Sequence, residues 1–363
     1  MATTLNDQRP RYSAAELRQF TAAVFRAYGL PQDDADLGAE VLVDADLAGI
    51  ESHGIAHLPW HPGYAPGLKQ GIVNPNPKIT VLRDSPVAAS WDADAGVGVV
   101  IAAKAMDAAV AKADATGIGM IAVRNSRHFG AAGYYAHLAA KRDMIGMATC
   151  NVPAIAHAAG GIDRVFGTNP IAMGAPVQDD HAFLIDIATT TVAGGKLEIA
   201  MRQGKRIPPG WAVNADGTDS DDPEILRKSG GLLPLGSRME TSSYKGYGLG
   251  LMVDILSGVL PGMGSALFVE RGTLAQGQWF AAWRIDAFCD PAQFKADMKR
   301  MVDTIRATRP APGHEAVLIP GDPEAIARAE RSVRGIPLDA ETIEQLHALA
   351  AELKLQFPAA ISS

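Results

Sequence analysis

Two short stretches of the chain combine histidine with the polar partners that proton transfer requires. The first contains Ser52, His53, Gly54, His57, His61 and Tyr64. Histidine exchanges protons near neutral pH, because its ordinary pKa lies at about 6.5. A neighbouring hydroxyl can hold the imidazole in one orientation. Ser52 and His53 together are therefore typical of a general acid or base.

The same stretch also contains a spacing that metal sites use. His57 and His61 are four residues apart and would share one face of a helix. Such a pair can bind a metal ion, and His53 would be the third ligand. The chain has no HExxH motif and no further ligand at the usual spacing. We therefore expect no metal site, and a metal-dependent hydrolase that uses these three histidines is kept as an alternative.

The second stretch runs from Asn125 to Gly133 and contains His128. It follows a predicted buried strand and precedes a predicted helix. Small residues at a helix start leave backbone N–H groups free, and these groups bind anions such as a pyrophosphate. A tight turn between strand and helix would require the same glycines. The pattern favours neither interpretation over the other.

Other glycine-rich segments carry weaker signals. Gly96, Val97 and Gly98 look like the start of a dinucleotide fingerprint, but no strand precedes them and Ile101 occupies the third glycine position. We interpret them as a glycine-rich helix start. Lys196 follows two glycines. A lysine there can hold a carboxylate or phosphate, although most lysines lie in solvent.

The elements that must position these residues change in character along the chain. Helices are predicted first, with a capping box at Ser13 and Glu16, a helix end at Gly29, and Asp33 or Asp34 capping the next helix. The strands predicted after that region cover 78–83, 87–91, 119–123, 144–150, 171–175, 183–187 and 278–285. The later helices cover 97–116, 131–141, 192–202, 245–260, 291–309, 323–332 and 339–353, with a loop-rich segment at 204–236. This mixture indicates an α/β (α+β) fold.

Composition limits the classes of protein that fit. The chain has 363 residues, 47% of them apolar, and a formal charge of −7, which excludes global disorder and a basic face for nucleic acid. Cys150 and Cys289 cannot form a disulfide scaffold or a cysteine zinc site. The first twelve residues lack a signal-peptide core, and no apolar run reaches membrane-spanning length. We expect a cytoplasmic protein without nucleic-acid or membrane partners.

Eight short motifs occur in an order that resembles one known family. They are Ser52-His53-Gly54, 124–135 (RNSRHFGAAGYY), 166–170 (FGTNP), 186–189 (DIAT), 209–212 (PGWA), 233–236 (LPLG), 244–248 (YKGYG) and 319–324 (IPGDPE). Each is weak alone, but the ordered set covers nearly the whole chain. The chain resembles the type 2 malate/L-lactate dehydrogenase family, which includes ureidoglycolate, sulfolactate and diketogulonate oxidoreductases and cyclic-imine carboxylate reductases.

The resemblance implies an NAD(P)-dependent oxidoreductase with a fold other than the Rossmann fold. In this family, both chain ends form one helical domain beside a mixed-sheet α/β domain that binds the cofactor. Here the helical domain would comprise residues 1–77 and 310–363, and the cofactor domain residues 78–309. The resemblance also implies a homodimer with active sites near the subunit contact. We expect NAD as cofactor, with NADP as the alternative.

The resemblance assigns roles to individual residues. Ser52 and His53 match the proton-donor pair, and His128 matches a second histidine that some members use as the acid or base. The implied substrate contacts are His57, Tyr64, Thr168 and Lys196. The implied cofactor contacts are His128, Phe129, Gly130, Ala131, Ala132, Asp186, Ile187, Ala188, Pro234, Leu235, Lys245, Gly321, Asp322 and Glu324.

One departure from the family pattern concerns the substrate. Family members have an arginine five residues after the serine, and this chain has His57 there. A neutral imidazole lacks the charge and the fork with which arginine holds a carboxylate. We therefore expect hydride transfer between nicotinamide and C2 of a small 2-hydroxy or 2-oxo acid, or a related imine, other than plain malate or lactate. A member that binds the cofactor without turnover is a further alternative.

Overall fold

The computed structural model describes residues 7–269 and 274–361. The α-helices in this part of the chain are α1 (Ala14–Ala27), α2 (Gln32–Leu47), α3 (Ala65–Lys69), α4 (Gly98–Thr116), α5 (Ala132–Ala140), α6 (Gly194–Arg202), α7 (Ser243–Asp254), α8 (Pro291–Arg306), α9 (Asp322–Arg334) and α10 (Ala340–Leu353). The strands are β1 (Arg11–Tyr12), β2 (Thr80–Asp84), β3 (Ala88–Asp92), β4 (Ile118–Ser126), β5 (Met144–Cys150), β6 (Ala156–His157), β7 (Arg164–Phe166), β8 (Ile171–Ala175), β9 (Phe183–Ile187), β10 (Ala212–Val213), β11 (Asp219–Ser220), β12 (Gly231–Leu232), β13 (Gln276–Arg284) and β14 (Ile336–Pro337).

Seven strands form the central sheet in the order β2-β3-β4-β13-β5-β8-β9. Strands β3 and β4 run parallel, whereas the other described neighbours in this sheet run antiparallel. A second sheet of short strands has the order β11-β10-β12-β6-β7. The protein is therefore a mixed α/β fold with mixed sheets, which confirms the predicted class.

The second sheet corrects the prediction of a loop-rich segment at 204–236. Three of its strands, β10, β11 and β12, lie in that segment and each has two residues. Strands this short show no alternation of apolar and polar residues, so their pairing depends on neighbours elsewhere in the chain. One of these neighbours is β6, which pairs with β12 at Ala156 and Leu232.

One hydrophobic core joins the first helices to the central sheet. It includes the fully buried side chains of Phe25 on α1, Leu42 on α2, Met106 on α4 and Phe280 on β13. The next residue back along β13, Trp279, lies in a separate cluster on the opposite face of the sheet. This alternation is expected of a strand buried on both faces. The core therefore continues across the boundary predicted at residue 77, and that boundary stays a prediction.

The two ends of the chain pack against each other. Strands β1 and β14 pair antiparallel, with Tyr12 opposite Ile336. The rings of Tyr12 and Phe20 lie 5.3 and 5.0 Å from the ring of Phe357. These contacts agree with the expected packing of the terminal helices, although they do not test the domain limits.

Helix boundaries show which local signals act as predicted. The Ser13 hydroxyl accepts a hydrogen bond from the Glu16 N–H at 3.5 Å, and Gly29 follows α1 with a φ of +94°. The prediction that Asp33 or Asp34 caps α2 is wrong. The N-cap position is Pro31, without a side-chain hydrogen bond, and both aspartates lie inside the first turn. No helix in the described residues is both long enough and apolar enough to cross a membrane.

Candidate active site

The Ser52–His53 pair lies in a short 3₁₀ helix directly after α2. The Ser52 hydroxyl is 2.9 Å from His53 Nδ1, as the predicted pairing requires. Gly54 follows in an extended conformation, and a Cβ atom on it would lie 1.9 Å from the Asp46 carboxylate. Asp46 Oδ2 also accepts the Ile55 N–H at 2.8 Å. The glycine of this motif is therefore needed because a buried carboxylate packs against it.

Both chain ends hold the same short helix in place. The Glu51 carboxylate receives two hydrogen bonds from Arg9, at 2.8 and 3.0 Å, and one from Arg331 at 2.6 Å. Burial acts to raise the pKa of Glu51, but the two guanidinium groups outweigh it and hold the pKa below its ordinary value. Because Glu51 stays ionised, its ion pairs anchor the short helix that carries Ser52 and His53. The partners come from both ends of the chain: Arg9 precedes β1, and Arg331 lies on α9.

The two histidine stretches meet in space. The His128 ring lies 5.7 Å from His53 in a stacked arrangement, 5.3 Å from His57 and 4.3 Å from His61, measured between ring centroids. We call these four side chains the imidazole cluster. His57 is buried, whereas the other three remain partly exposed. The predicted catalytic histidines therefore share one partly open pocket.

Hydrogen bonds fix several rings of the imidazole cluster. The Tyr64 hydroxyl lies 2.7 Å from His128 Nδ1, and the Gly130 N–H donates to the same nitrogen at 3.4 Å. The Gly63 N–H donates to His61 Nδ1 at 3.0 Å. Tyr64 is fully buried beneath His128. Its implied contact with substrate stays a prediction, since the described partner of its hydroxyl is His128.

Burial keeps the imidazole cluster uncharged. It lowers the pKa of His53 and His61 to about 4, and the charge of His53 lowers that of His61 further. The pKa values of His57 and His128 are lowered well below the ordinary value, first by burial and then by the neighbouring imidazoles. Burial therefore favours the neutral form of all four rings, which can form hydrogen bonds and take up a proton.

The described residues hold no group of three or more His, Cys, Asp or Glu side chains arranged to bind a metal ion. Although four imidazoles are close together, His61 Nδ1 and His128 Nδ1 already accept hydrogen bonds from backbone N–H groups. The geometry therefore gives no support to a hydrolase built on His53, His57 and His61.

Helix α6 brings Lys196 to the same place. A Cβ atom on Gly195 would lie 2.8 Å from the Cβ of Ser52, so the helix start packs directly against Ser52. Lys196 is the next residue and is partly buried. The structure thus places the backbone before Lys196 beside Ser52, and a substrate contact by Lys196 stays a prediction.

A narrow cleft lies at the start of α5, the segment that follows His128. Its lining residues are Asp44, Ala45, Ala48, Ile50, Ala131, Gly133, Tyr134, His137, Leu184, Asp186, Glu324 and Arg328. We call it the carboxylate cleft. Three of the implied cofactor contacts, Ala131, Asp186 and Glu324, meet there although they are distant in the chain. Burial raises the pKa of Asp186 to about 6, and the negative charge of Glu324 raises it as well. The hydrogen bond from the Gly133 N–H lowers this pKa but does not outweigh burial.

The start of α5 is a tight turn whose amide groups already have partners. The Gly133 N–H donates to Asp186 Oδ2 at 2.7 Å, and the Gly130 N–H donates to His128. Gly130 has a φ of +69°, which favours glycine. The structure therefore supports the tight-turn interpretation, because Asp186 occupies the amide that an anion would use.

The glycines of the rejected fingerprint have a packing role at the same turn. A Cβ atom on Gly98 would lie 2.0 Å from the carbonyl oxygen of Arg127 and 2.3 Å from that of His128. The start of α4 therefore approaches the backbone that carries His128, and only glycine fits. This contact confirms the interpretation of Gly96–Gly98 as a helix start.

The remaining implied cofactor contacts are spread over neighbouring segments. The backbone of Thr189, next to Ile187 and Ala188, bonds to Thr168 and to Leu235, each at 2.9 Å. Pro234 accepts a hydrogen bond from Thr191, and Lys245 lies exposed on the first turn of α7, which packs on Leu235. Phe129 is buried against Tyr135, and Ala132 begins α5. Of these implied contacts only Ala132 and Ile187 are chain neighbours of the cleft lining, and the cofactor roles of the whole set stay predictions.

The residues of the turn 321–324 have two different surroundings, an ion-pair network and the carboxylate cleft. Gly321 has a φ of +104° and packs on β9, which carries Asp186. The Asp322 carboxylate is held by Arg306 at 2.5 Å, by His181 at 2.8 Å and by the Ile319 N–H at 2.8 Å. Glu324 lines the carboxylate cleft. The structure therefore shows Asp322 in an ion-pair network, and a cofactor contact by Asp322 stays a prediction.

Two residues of the site were missed at the level of sequence. Asp46 holds the loop after α2 by accepting the Ile55 N–H. Apart from its place on a helix, nothing in the sequence indicates this role. His137, which belongs to no predicted site, lines the carboxylate cleft with a buried Nδ1 that has no hydrogen-bond partner among the described residues. Its position four residues after Gly133 on α5 is the signal that would have found it.

Comparison with known proteins identifies the fold and the chemistry. Residues 12–347 match the family model described as malate/L-lactate dehydrogenase. A malate dehydrogenase of Pyrococcus horikoshii is 40% identical over 345 residues, covering 94% of each chain. An L-sulfolactate dehydrogenase of Methanocaldococcus jannaschii is 38% identical, covering 92% of this chain and 94% of its own. The crystal structure of malate dehydrogenase from Entamoeba histolytica superposes with a TM-score of 0.93 and 30% identity, covering 97% of this chain and 100% of its own.

The family match extends over most of the chain, and the imidazole cluster and the carboxylate cleft both lie within it. The relatives are dehydrogenases of hydroxy acids, which agrees with the role in proton transfer predicted for the imidazole cluster. The chain belongs to the malate/L-lactate dehydrogenase family and is an NAD(P)-dependent oxidoreductase of a small acid.

Proposed function

We propose that the protein transfers hydride between NAD and C2 of a small 2-hydroxy or 2-oxo acid, or a related imine. We further propose that its preferred substrate is neither plain malate nor lactate. The observation that carries this proposal is the imidazole cluster, where the Ser52–His53 pair meets His128 in an uncharged, partly open pocket. The bound nicotinamide would supply the hydride chemistry, and the protein would supply position and proton transfer.

We propose that the carboxylate cleft contacts part of the bound dinucleotide. Asp186 and Glu324 offer oxygen atoms that accept hydrogen bonds from ribose hydroxyls. The buried His137 Nδ1 lacks a described protein partner, so a bound group can satisfy it. The cofactor contacts that we assign are those implied by the motifs, from His128 to Ala132, from Asp186 to Ala188, and at Pro234, Leu235, Lys245, Gly321, Asp322 and Glu324.

The charges of the same cleft favour NAD over NADP. Its lining includes Asp44, Asp186 and Glu324, and its guanidinium, on Arg328, is engaged by both oxygens of Asp44 at 2.5 and 3.0 Å. Proteins that hold a 2′-phosphate usually offer it a free arginine. A 2′-phosphate here would approach carboxylates without a free cation of the lining to compensate.

The substrate pocket favours a molecule less anionic than malate. His57 stands where the family pattern implies an arginine, and burial lowers its pKa well below the ordinary value, which favours the uncharged ring. The Trp60 ring packs edge-on against His57 at 4.9 Å. We assign the substrate carboxylate to Lys196 and Thr168, with His57 and Tyr64 forming the wall of the pocket. A bulkier 2-oxo acid or a cyclic imine carboxylate fits this arrangement.

We also propose the finer architecture that the family implies. The helical domain would comprise residues 1–77 and 310–363, and the cofactor would bind the domain 78–309 in a fold other than the Rossmann fold. The largely antiparallel central sheet supports this, since a Rossmann sheet is parallel. We propose a cytoplasmic homodimer with active sites near the subunit contact.

Binding of NADH and NADPH, followed by nicotinamide fluorescence, tests the proposal first. We expect NADH to bind more tightly than NADPH by about tenfold or more. A panel of oxaloacetate, pyruvate, bulkier 2-oxo acids and cyclic imines then ranks kcat/KM. Highest specificity for oxaloacetate or pyruvate would reject the substrate proposal. A folded protein that binds neither cofactor would reject the function, and binding without any turnover would indicate a member that has lost catalysis.

A further inference from the structure

We propose that Tyr64 is a positioning residue that holds His128 as the tautomer protonated on Nε2. In this arrangement His128 donates a hydrogen bond to the reacting oxygen or nitrogen of the substrate, and His53 alone carries the transferred proton. This division of roles rests on the proposed function. The motifs alone leave His53 and His128 as equivalent candidates for the acid, and this proposal gives them different roles.

The argument begins with the two groups that meet at His128 Nδ1. A backbone N–H can only donate, and that of Gly130 is directed at Nδ1 from 3.4 Å. The Tyr64 hydroxyl lies 2.7 Å from the same nitrogen. Burial raises the pKa of Tyr64 above its ordinary value, so the hydroxyl keeps its proton and can donate it. A nitrogen that receives two donors has no proton of its own, and the neutral ring then has its proton on Nε2.

The same contacts prevent His128 from becoming charged. An imidazolium would need a second proton on Nδ1, where it would oppose the Gly130 N–H. The titratable groups that face His128 are Tyr64 and the imidazoles of His53, His57 and His61. None of them supplies a negative charge that would stabilise an imidazolium. His128 therefore remains neutral, and its Nε2–H is a fixed dipole at the place where charge develops on the substrate.

His53 has a different partner and a different capacity. Its Nδ1 faces the Ser52 hydroxyl at 2.9 Å, and a hydroxyl both donates and accepts. The hydroxyl can rotate when His53 gains or loses a proton, so both protonation states keep the bond. A substrate carboxylate bound near Lys196 would favour the imidazolium of His53 by its charge.

The resulting step balances for reduction of a 2-oxo acid. Reduced nicotinamide, when bound, would supply hydride to C2 of the substrate as the carbon–oxygen π bond breaks. The carbonyl oxygen, held by the Nε2–H of His128, takes the proton that leaves the His53 imidazolium. The product is the 2-hydroxy acid with oxidised nicotinamide, and His53 regains its proton from solvent. Oxidation follows the same path in reverse, with neutral His53 as the base.

Nitrogen NMR of the full-length protein tests the tautomer directly. The ¹⁵N shifts of the His128 ring, identified by their loss in His128→Gln, should show Nδ1 unprotonated and Nε2 protonated. Tyr64→Phe removes one donor while keeping the ring volume, and should shift the population toward the Nδ1–H form. Tyr135→Phe is the matched control, because it removes the hydroxyl of another fully buried tyrosine that bonds to the Phe129 carbonyl. A protonated Nδ1 in the wild type, or unchanged His128 shifts in Tyr64→Phe, would overturn the proposal.

Kinetics with the best substrate of the panel test the division of roles. Glutamine keeps an N–H donor but cannot deliver a proton, whereas leucine has neither property. His128→Leu should lower kcat by about 10²–10³-fold, and His128→Gln should retain at least about ten times more activity than His128→Leu. His53→Gln and His53→Leu should lower kcat by the same factor. Equal damage at His128 together with retained activity in His53→Gln would reverse the assignment.

Failure of this inference can be told apart from failure of the proposed function. The NMR measurement needs neither cofactor nor substrate, so it reports the tautomer even if no panel compound is reduced. Thermal unfolding of Tyr64→Phe and Tyr135→Phe shows whether the two variants lose similar stability. A change at His128 in Tyr64→Phe alone, at similar stability, supports positioning by Tyr64.

Discussion

The imidazole cluster and the carboxylate cleft are joined by the turn that follows His128, yet burial affects them in opposite directions. Burial lowers the pKa of His53 to about 4 and raises that of Asp186 to about 6. In both regions the neutral form gains, because a charge in a poorly solvated site costs free energy. The cluster has no ion pair, whereas the cleft keeps one between Arg328 and Asp44. The comparison indicates that the cluster acts through oriented hydrogen bonds and proton exchange, and the cleft through acceptors for hydroxyl groups.

The largest effect should come from removing the acid within the imidazole cluster. His53→Ala should lower kcat by about 10²–10⁴-fold, because a positioned general acid or base contributes that much. The Kd of NADH, measured by fluorescence, should not change if the cleft binds the cofactor independently. Ser52→Ala is the matched variant, with a smaller loss expected because it removes only the orienting hydroxyl. Unchanged turnover in His53→Ala would exclude this histidine from the mechanism.

A substitution beside the turn that joins the two regions should affect stability as well as activity. Gly98→Ala places a methyl group against the carbonyl oxygens of Arg127 and His128. We expect the free energy of unfolding to fall by about 1–3 kcal/mol, as for other overpacked sites. Gly248→Ala on α7 is the control, since a Cβ there meets nothing within 4 Å and should stabilise the helix by up to about 1 kcal/mol. Chemical denaturation compares them, and a stable, fully active Gly98→Ala would contradict the role of this contact.

Removing a charge from the carboxylate cleft should change the choice of cofactor. Glu324→Gln keeps the shape of the side chain and removes one negative charge from the lining. The affinity for NADPH relative to NADH should rise by about fivefold, which corresponds to about 1 kcal/mol. The exposed Glu315, outside the cleft, supplies the control Glu315→Gln. Equal ratios of the two Kd values in both variants would show that Glu324 does not face the 2′ position.

The pH dependence of stability should show two effects of opposite sign, one in each protonation direction. The folded-state pKa of His61 is about 4, below the ordinary 6.5, so its contribution to stability is lost as pH falls from 6.5 toward 4. The folded-state pKa of Asp46 is about 8, above the ordinary 3.8, so stability declines as pH rises from about 4 to about 8. Relative to wild type, His61→Gln should therefore gain stability toward acid, and Asp46→Asn toward alkali.

Thermal unfolding from pH 4 to pH 8 measures this contrast. The Tm difference between each variant and the wild type removes the contribution of groups that both share. Parallel curves for His61→Gln and wild type would show that burial of this ring does not depress its pKa, and parallel curves for Asp46→Asn would show the same for the raised pKa of Asp46.

The sequence determined much about this protein without any tertiary information. The ordered motifs indicated the family, whose model matches residues 12–347. Local signals predicted the Ser13 cap, the end of α1 at Gly29 and most of the strands of the central sheet. These features depend on neighbouring residues, and hydrogen bonds between neighbours act in any fold that contains them.

Tertiary structure alone decided how the site is assembled. Gly54 packs on Asp46, Gly98 on the backbone of His128, and Gly133 donates to Asp186, although these partners lie between 8 and 53 residues apart in the chain. Such contacts cannot be predicted from sequence spacing, because they depend on how helices and strands pack. The same holds for the shifted pKa values, since solvent exclusion is a property of the packed pocket. A motif therefore identifies His53 and His128, and the fold decides that they share one neutral pocket.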